Sequence, residues 1–70
     1  MKSRYVNIDP EIMGGEPVFA GTRVPIKTLF EHLESSYTLE EFLDWFPSVT
    51  RDAAIQVLKD AHELVVGRSN

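Results

Sequence analysis

Residues 38–51 read TLEEFLDWFPSVTR, and this stretch decides the fold because it contains one helix and the start of the next. Thr38, followed three residues later by Glu41, forms a capping box, the pair that satisfies the first backbone N–H groups of a helix. Apolar side chains then recur at helical spacing, at Leu39, Phe42, Leu43 and Phe46. Pro47 ends this helix, since the residue before a proline is disfavoured in the helical conformation. Thr50 is a suitable cap for another helix, so the stretch predicts two helices joined by a tight turn.

Helical spacing continues on both sides of this stretch. Before it, Pro25 suits the first position of a helix, and Ser35-Ser36 ends that helix. The apolar face of this first helix is formed by Ile26, Leu29, Phe30 and Leu33. After it, the helix capped by Thr50 continues until Gly67 stops it. The apolar stripe of this third helix is Ala54, Val57, Leu58, Ala61, Leu64 and Val65. A three-helix bundle is therefore predicted over residues 25–67.

Residues 1–24 have the pattern of a β and loop arm. Short extended pieces are expected at residues 4–8, 17–19 and 22–24, separated by glycine turns. Alternation along the first piece places one pair of side chains on each face, Val6 with Ile8 and Tyr5 with Asn7. Pieces this short form no independent sheet, so they pack on the helices or pair across a dimer, and the sequence leaves both open. The predicted fold is one mostly α domain, residues 1–70, with short N-terminal β segments followed by a three-helix bundle containing a helix–turn–helix.

Length and composition limit the classes of protein to which this chain can belong. It has 70 residues and no cysteine, which excludes disulfides and thiolate zinc sites. A domain of this size buries only about 60% of its unfolded surface, so the thin core predicts association with itself, as a homodimer, or with another chain in an obligate complex. No apolar run approaches the roughly 18 residues that span a bilayer, and no signal-type stretch follows the N-terminus. We therefore expect a cytoplasmic protein that does not contact a membrane.

The acidic residues are distributed unevenly along the chain. The net charge is −4, from seven Lys and Arg against eleven Asp and Glu. Residues 28–70 contain three basic and eight acidic side chains, so the helical part is strongly acidic. An acidic surface is a poor match to nucleic-acid phosphates. Any contact with DNA is expected to come mainly from the N-terminal part or from a partner.

Four blocks of sequence carry a resemblance to a known family. They are Asn7-Ile8-Asp9-Pro10-Glu11-Ile12, Gly14-Gly15-Glu16-Pro17-Val18, Gly21-Thr22-Arg23-Val24-Pro25-Ile26 and Phe46-Pro47-Ser48-Val49-Thr50. Together they resemble the bacterial domain-of-unknown-function family number four hundred and thirty-three, over roughly residues 6–61, and the third block is the most specific. The resemblance implies a homeodomain-like or winged-helix-like fold, and an antitoxin-like role beside a nuclease-like toxin with a PIN-type fold. It implies no catalytic residue set.

No arrangement of side chains in the sequence indicates an enzyme. The glycine turns lack the Gly-Lys-Ser/Thr ending of a phosphate loop. His32 and His62 are lone histidines without metal-ligand spacing, and they are expected at the surface or its boundary. The carboxylates of Glu40, Glu41 and Asp44 are explained by the capping box and by helix solvation. We expect no catalytic residue, no metal and no cofactor.

Seven residues are candidates for contact with DNA or with a protein partner: Arg4, Arg23, Lys27, Trp45, Arg51, Gln56 and Lys59. If the third helix reads DNA, it presents the last three of these, because Arg and Gln can hydrogen-bond base edges. Trp45 is offset from the apolar face of its helix. It therefore either projects as an interface anchor or fills the thin core, and the sequence leaves both open.

Arg23 has two readings. It could bind a phosphate or an acidic pocket of a partner. It could instead join the β segment to a carboxylate of Glu40, Glu41 or Asp44, and this structural role is favoured because Arg is the usual cation of a partly buried pair.

Three functions remain from the sequence. The leading hypothesis is a small non-catalytic binding module, an antitoxin-like regulator that dimerises through its N-terminal strand region and binds a PIN-like toxin. DNA autoregulation, in which it controls its own expression by binding DNA, is an added activity within this hypothesis. The first alternative is a stand-alone helix–turn–helix transcriptional regulator. The second is a protein-interaction adaptor with no nucleic-acid role.

Overall fold

The computed structural model describes residues 4–67. Within this range the elements follow in the order β1 (Val6–Asn7), a short 3-10 turn (Met13–Gly15), β2 (Val18–Phe19), α1 (Ile26–Glu34), α2 (Leu39–Trp45) and α3 (Arg51–Val66). The predicted fold class is confirmed, since a short β segment at the N-terminus is followed by three helices.

The two strands pair with each other in an antiparallel arrangement within one chain. Val6 lies opposite Phe19, and Asn7 lies opposite Val18. Both strands are only two residues long, so the extended piece predicted at residues 4–8 is shorter than expected. Ile8 lies beyond β1 and is exposed, whereas Val6 is half-buried. The strand pairing left open by the sequence is therefore intramolecular in this structure.

The third extended piece, residues 22–24, closes a tight turn and forms no strand. Gly21 enters this turn at φ +78°, a left-handed conformation that favours glycine. The chain then folds back beside β2, where the Phe19 N–H donates to the Val24 carbonyl over 2.9 Å and the Ile26 N–H donates to the Pro17 carbonyl over 2.9 Å. This extended backbone places Pro25 at the cap of α1, one residue before the first helical position predicted for it.

The core is formed where the β arm meets all three helices. Its buried cluster consists of Phe19, Leu29, Phe42, Val49, Ala54 and Val57. The ring centroids of Phe19 and Phe42 lie 6.0 Å apart, which joins β2 to α2. At the other edge of the arm, the Tyr5 hydroxyl donates to Asp52 Oδ2 over 3.0 Å, in the first turn of α3. The arm is therefore part of the same packed body as the helices.

The helix boundaries follow the caps expected from the sequence. The Glu41 N–H donates to Thr38 Oγ1 over 3.1 Å, and the Thr38 N–H donates to Glu41 Oε1 over 2.8 Å, which confirms the capping box of α2. At α3 the Ala53 N–H donates to Thr50 Oγ1 over 3.1 Å. Val49 is buried in the connection between α2 and α3. The order helix, turn, helix is present, while its use in reading DNA stays a prediction.

The last turns of α3 extend past the core. Ala54 and Val57 are buried and Leu58 and Ala61 are half-buried, as the predicted stripe requires. Leu64 and Val65 belong to the same stripe but are 75% and 85% exposed. With 16 residues, α3 is longer than α1 and α2, so no part of the described chain covers its end. No helix within residues 4–67 is both long enough and apolar enough to cross a membrane.

Candidate functional site

Arg51, one of the predicted contact residues, is engaged at the surface with Glu40. Both terminal nitrogens of the guanidinium donate to the carboxylate, Nη2 to Oε1 over 2.6 Å and Nη1 to Oε2. This side-chain hydrogen bond lowers the pKa of Glu40 and raises the pKa of Arg51 from their ordinary values. The pair connects the first turns of α2 and α3, and in this structure both terminal nitrogens of Arg51 point at Glu40.

Three further predicted residues also have partners within the chain. Lys27 Nζ lies 3.8 Å from Glu16 Oε1. Gln56 Nε2 donates to Asp60 Oδ1 over 3.4 Å, one turn further along α3. The Arg4 guanidinium lies 5.5 Å from the centroid of the neighbouring Tyr5 ring. Within residues 4–67, no hydrogen bond, ion pair or ring contact joins any two of the seven predicted residues.

The structural role favoured for Arg23 does not appear in the structure. Arg23 is exposed in the turn between β2 and α1, and it forms no ion pair with another residue of the described range 4–67. Two of its expected partners are occupied, since Glu40 binds Arg51 and Glu41 closes the capping box. The alternative role of Arg23, contact with a partner or phosphate, stays a prediction. Lys59 is likewise exposed on α3.

Trp45 is exposed and lies in a cluster of aromatic rings. Its side chain is 59% exposed at the end of α2, and Tyr37, in the turn before α2, is 42% exposed. The centroids of these two rings lie 5.4 Å apart. The imidazole of His32, on α1, lies 5.1 Å from Trp45 and 5.4 Å from Tyr37. We call Tyr37, Trp45 and His32 the aromatic surface.

The aromatic surface is held in place from the protein side. His32 also contacts the rings of Phe42 and Phe46 at 5.6 and 5.5 Å, edge to face. Its Nδ1–H donates to the Thr28 carbonyl over 3.0 Å, while its buried Nε2 has no hydrogen-bond partner among the residues that the structure describes. The imidazole is therefore fixed between α1 and α2. Its ring is perpendicular to that of Trp45, with an interplanar angle of 89°, and the two rings are in edge-to-face contact.

The sequence predicted His32 at the surface or its boundary, and in the structure His32 is half-buried. Its ring contact with Trp45 was not predicted from the sequence. Residues 32, 37 and 45 follow no helical or strand period, because the turn between α1 and α2 intervenes. Only the packing of the two helices brings these rings together.

Exposed apolar side chains occur in two other places. Ile8 and Met13 are exposed in the arm, and Leu64, Val65 and Val66 are exposed at the end of α3. Neither group has the ring contacts that fix the aromatic surface in this structure. Within residues 4–67, no three His, Asp or Glu side chains are grouped closely enough to hold a metal ion.

Comparison with known proteins gave one match. The profile of the family described as "Protein of unknown function (DUF433)" matches residues 6–59. No curated protein and no solved structure matched the chain.

Proposed function

We propose that this chain, which belongs to the DUF433 family of proteins of unknown function, is a non-catalytic module that binds a protein partner. The observation that carries the proposal is the exposed ring pair of Tyr37 and Trp45. Tryptophan and tyrosine are enriched among the residues that dominate the binding energy of protein interfaces. In a chain with such a thin core, leaving its single tryptophan exposed is costly unless a partner covers it.

The rigidity of the aromatic surface also favours binding. His32 contacts both exposed rings, and it is itself fixed by Thr28 and by the rings of α2. Side chains that are already held in one orientation lose little entropy when a partner covers them. The aromatic surface is thus preorganised for binding.

The partner in our proposal is a PIN-like toxin protein, and the chain acts as an antitoxin-like regulator that dimerises. The resemblance to the family and the thin core support this role. That the chain is not an enzyme is part of the proposal, and it rests on the absence from the sequence of any nucleophile–base pair.

Direct DNA binding is the second candidate, and the order of α2, turn and α3 favours it. The side chains of α3 weigh against binding by the chain alone. Arg51 and Gln56, the two best suited to read bases, are engaged with Glu40 and Asp60. We therefore propose DNA autoregulation as an activity of a complex in which the partner supplies the basic surface.

Co-expression tests the proposed function. The tagged chain is produced together with the reading frame adjacent to its gene, and the eluate is analysed by size exclusion with light scattering. We expect a nuclease-sized partner to co-elute in a fixed ratio with the wild type and with Ile8→Ala, which removes an exposed apolar side chain elsewhere. Trp45→Ala should lose the partner while its far-UV circular dichroism stays unchanged. If the partner is retained by Trp45→Ala, the aromatic surface is not the binding surface.

A further inference from the structure

The segment that carries the aromatic surface contains acidic charges alone. Residues 28–46 include no Lys or Arg. The five acidic side chains of the segment are all exposed: Glu31, Glu34, Glu40, Glu41 and Asp44. Glu40 is paired with Arg51, whereas the other four form no ion pair with residues of the described part of the chain. The excess negative charge of the protein is therefore concentrated in the segment that carries the aromatic surface.

Two of these carboxylates lie close to Trp45 along α2. Asp44 directly precedes Trp45. Glu41 is four residues earlier, which places it one turn away on the same helix face. On the side of Tyr37, Glu34 is the last residue of α1. The exposed rings and these three carboxylates thus belong to one short segment of the chain, residues 34–45.

The negative charge around the aromatic surface favours some classes of binding partner over others. A second copy of the chain would bring the same carboxylates and be repelled, because like charges brought together at an interface are unfavourable. A nucleic acid would be repelled by the same groups. A cationic protein segment is attracted, since complementary charge favours the encounter and the correct pairing.

We infer that the aromatic surface binds a cationic segment of a partner protein, with an arginine side chain stacked on Trp45 and Tyr37. Arginine fits better than lysine because its planar guanidinium stacks on aromatic faces and can also hydrogen-bond a carboxylate with two donors. Asp44 is the acceptor next to Trp45 in the chain, and Glu41, whose Oε1 already accepts the Thr38 N–H, adds negative charge one turn away. The inference rests on the proposed function in one respect, that this surface binds a protein.

The test uses synthetic peptides and the fluorescence of Trp45. Because Trp45 is the only tryptophan of the chain, its emission reports on this surface alone. The probe is an eight-residue peptide of alternating glycine and arginine, compared with the same peptide carrying lysine or glutamate in place of arginine. We expect a saturable change with the arginine peptide, binding weaker by about 2- to 5-fold with the lysine peptide, and no change with the glutamate peptide.

Two double variants distinguish the effect of the carboxylates next to Trp45 on peptide binding from the effect of the net charge of the protein. Glu41→Gln with Asp44→Asn removes both carboxylates next to Trp45, and glutamine still completes the capping box. Glu11→Gln with Glu63→Gln makes the same change in net charge on the arm and on α3, where both side chains are exposed. The first pair should weaken arginine-peptide binding roughly 5-fold or more, and the second should change it less than about 2-fold.

A single variant tests the stacking. Tyr37→Leu keeps an apolar side chain but removes one ring, so we expect it to lose the preference for the arginine peptide over the lysine peptide. Far-UV circular dichroism confirms that each variant keeps its helices.

Three results would overturn the inference: no saturable response to the arginine peptide, equal weakening by the two double variants, or equal affinity for arginine and lysine in the wild type. The proposed function fails separately. If the adjacent gene product binds through Trp45 while the arginine peptide does not, the surface binds a protein of a different chemistry. If the arginine peptide binds as described while no neighbouring protein co-elutes, the inference holds and the assigned partner is wrong.

Discussion

At the scale of single residues, two polar side chains have different roles, one in capping a helix and one in holding exposed rings. Thr38 faces the start of α2, where its hydroxyl accepts one of the backbone N–H groups that the helix leaves unpaired. His32 packs among rings and holds Trp45 and Tyr37 at the surface. The first interaction stabilises the fold, and the second shapes the surface assigned to a partner.

Replacing the cap of α2 should lower stability by a measurable amount. Thr38→Ala removes the acceptor of the Glu41 N–H, and loss of such a cap costs about 0.5–2 kcal/mol. Thr38→Ser keeps the hydroxyl and should stay close to the wild type. Urea unfolding followed by Trp45 fluorescence measures both variants, and equal midpoints for Ala and Ser would show that the cap contributes nothing.

At the scale of elements, α3 is divided into a packed half and an uncovered half. Ala54 and Val57 lie in the core, whereas Leu64, Val65 and Val66 are exposed, although all but Val66 belong to one apolar stripe. Apolar burial stabilises a fold only where other atoms exclude water. The end of α3 therefore contributes little to the stability of the single chain.

Two leucines on different helices make this difference measurable. Leu29, on α1, is fully buried, and Leu29→Ala should destabilise the fold by about 2–5 kcal/mol through lost burial and a cavity. Leu64, on α3, is 75% exposed, and Leu64→Ala should stay within about 0.5 kcal/mol of the wild type. Chemical unfolding at low and at high protein concentration compares the two. A loss for Leu64→Ala that appears only at high protein concentration would mean that a second chain covers the end of α3.

At the scale of the whole molecule, the β arm and the helices share one core. Phe19, on β2, is buried against Phe42 of α2, and the hydroxyl of Tyr5 reaches Asp52 of α3. A two-stranded β segment is not stable alone in water, so the arm is ordered by the helices that it covers. The arm in turn packs the ring of Phe19 against Phe42.

The arm and the helices should therefore unfold together. Phe19→Ala is expected to cost about 3–5 kcal/mol, which is comparable with the total stability of roughly 4–10 kcal/mol for a chain of 70 residues. The helix signal in circular dichroism should fall in this variant, while Ile8→Ala, at an exposed position of the arm, should behave as the wild type. Intact helices in Phe19→Ala would show that the bundle folds without the arm.

The sequence alone determined the features that depend on a few neighbouring residues. The capping box of Thr38 and Glu41, the cap at Thr50 and the end of α2 before Pro47 all lie where they were predicted, since each depends on hydrogen bonds or steric contacts within one turn. Helical spacing also identified Leu29, Phe42, Ala54 and Val57 as core residues. The family was also recognisable from the sequence, because its characteristic blocks are short contiguous segments of the chain.

Only the tertiary structure decided what covers each of these elements. The period of α3 is the same at Val57 and at Leu64, but neighbours from the arm and from the other helices reach only the first. Glu40 pairs with Arg51 and not with Arg23, because the turn between α2 and α3 brings the first turns of these helices together. His32 meets Trp45 through the packing of α1 on α2. Periodicity states which side of a helix is apolar, whereas burial and pairing depend on residues distant in the chain, and these determine where the surface of this protein can bind a partner.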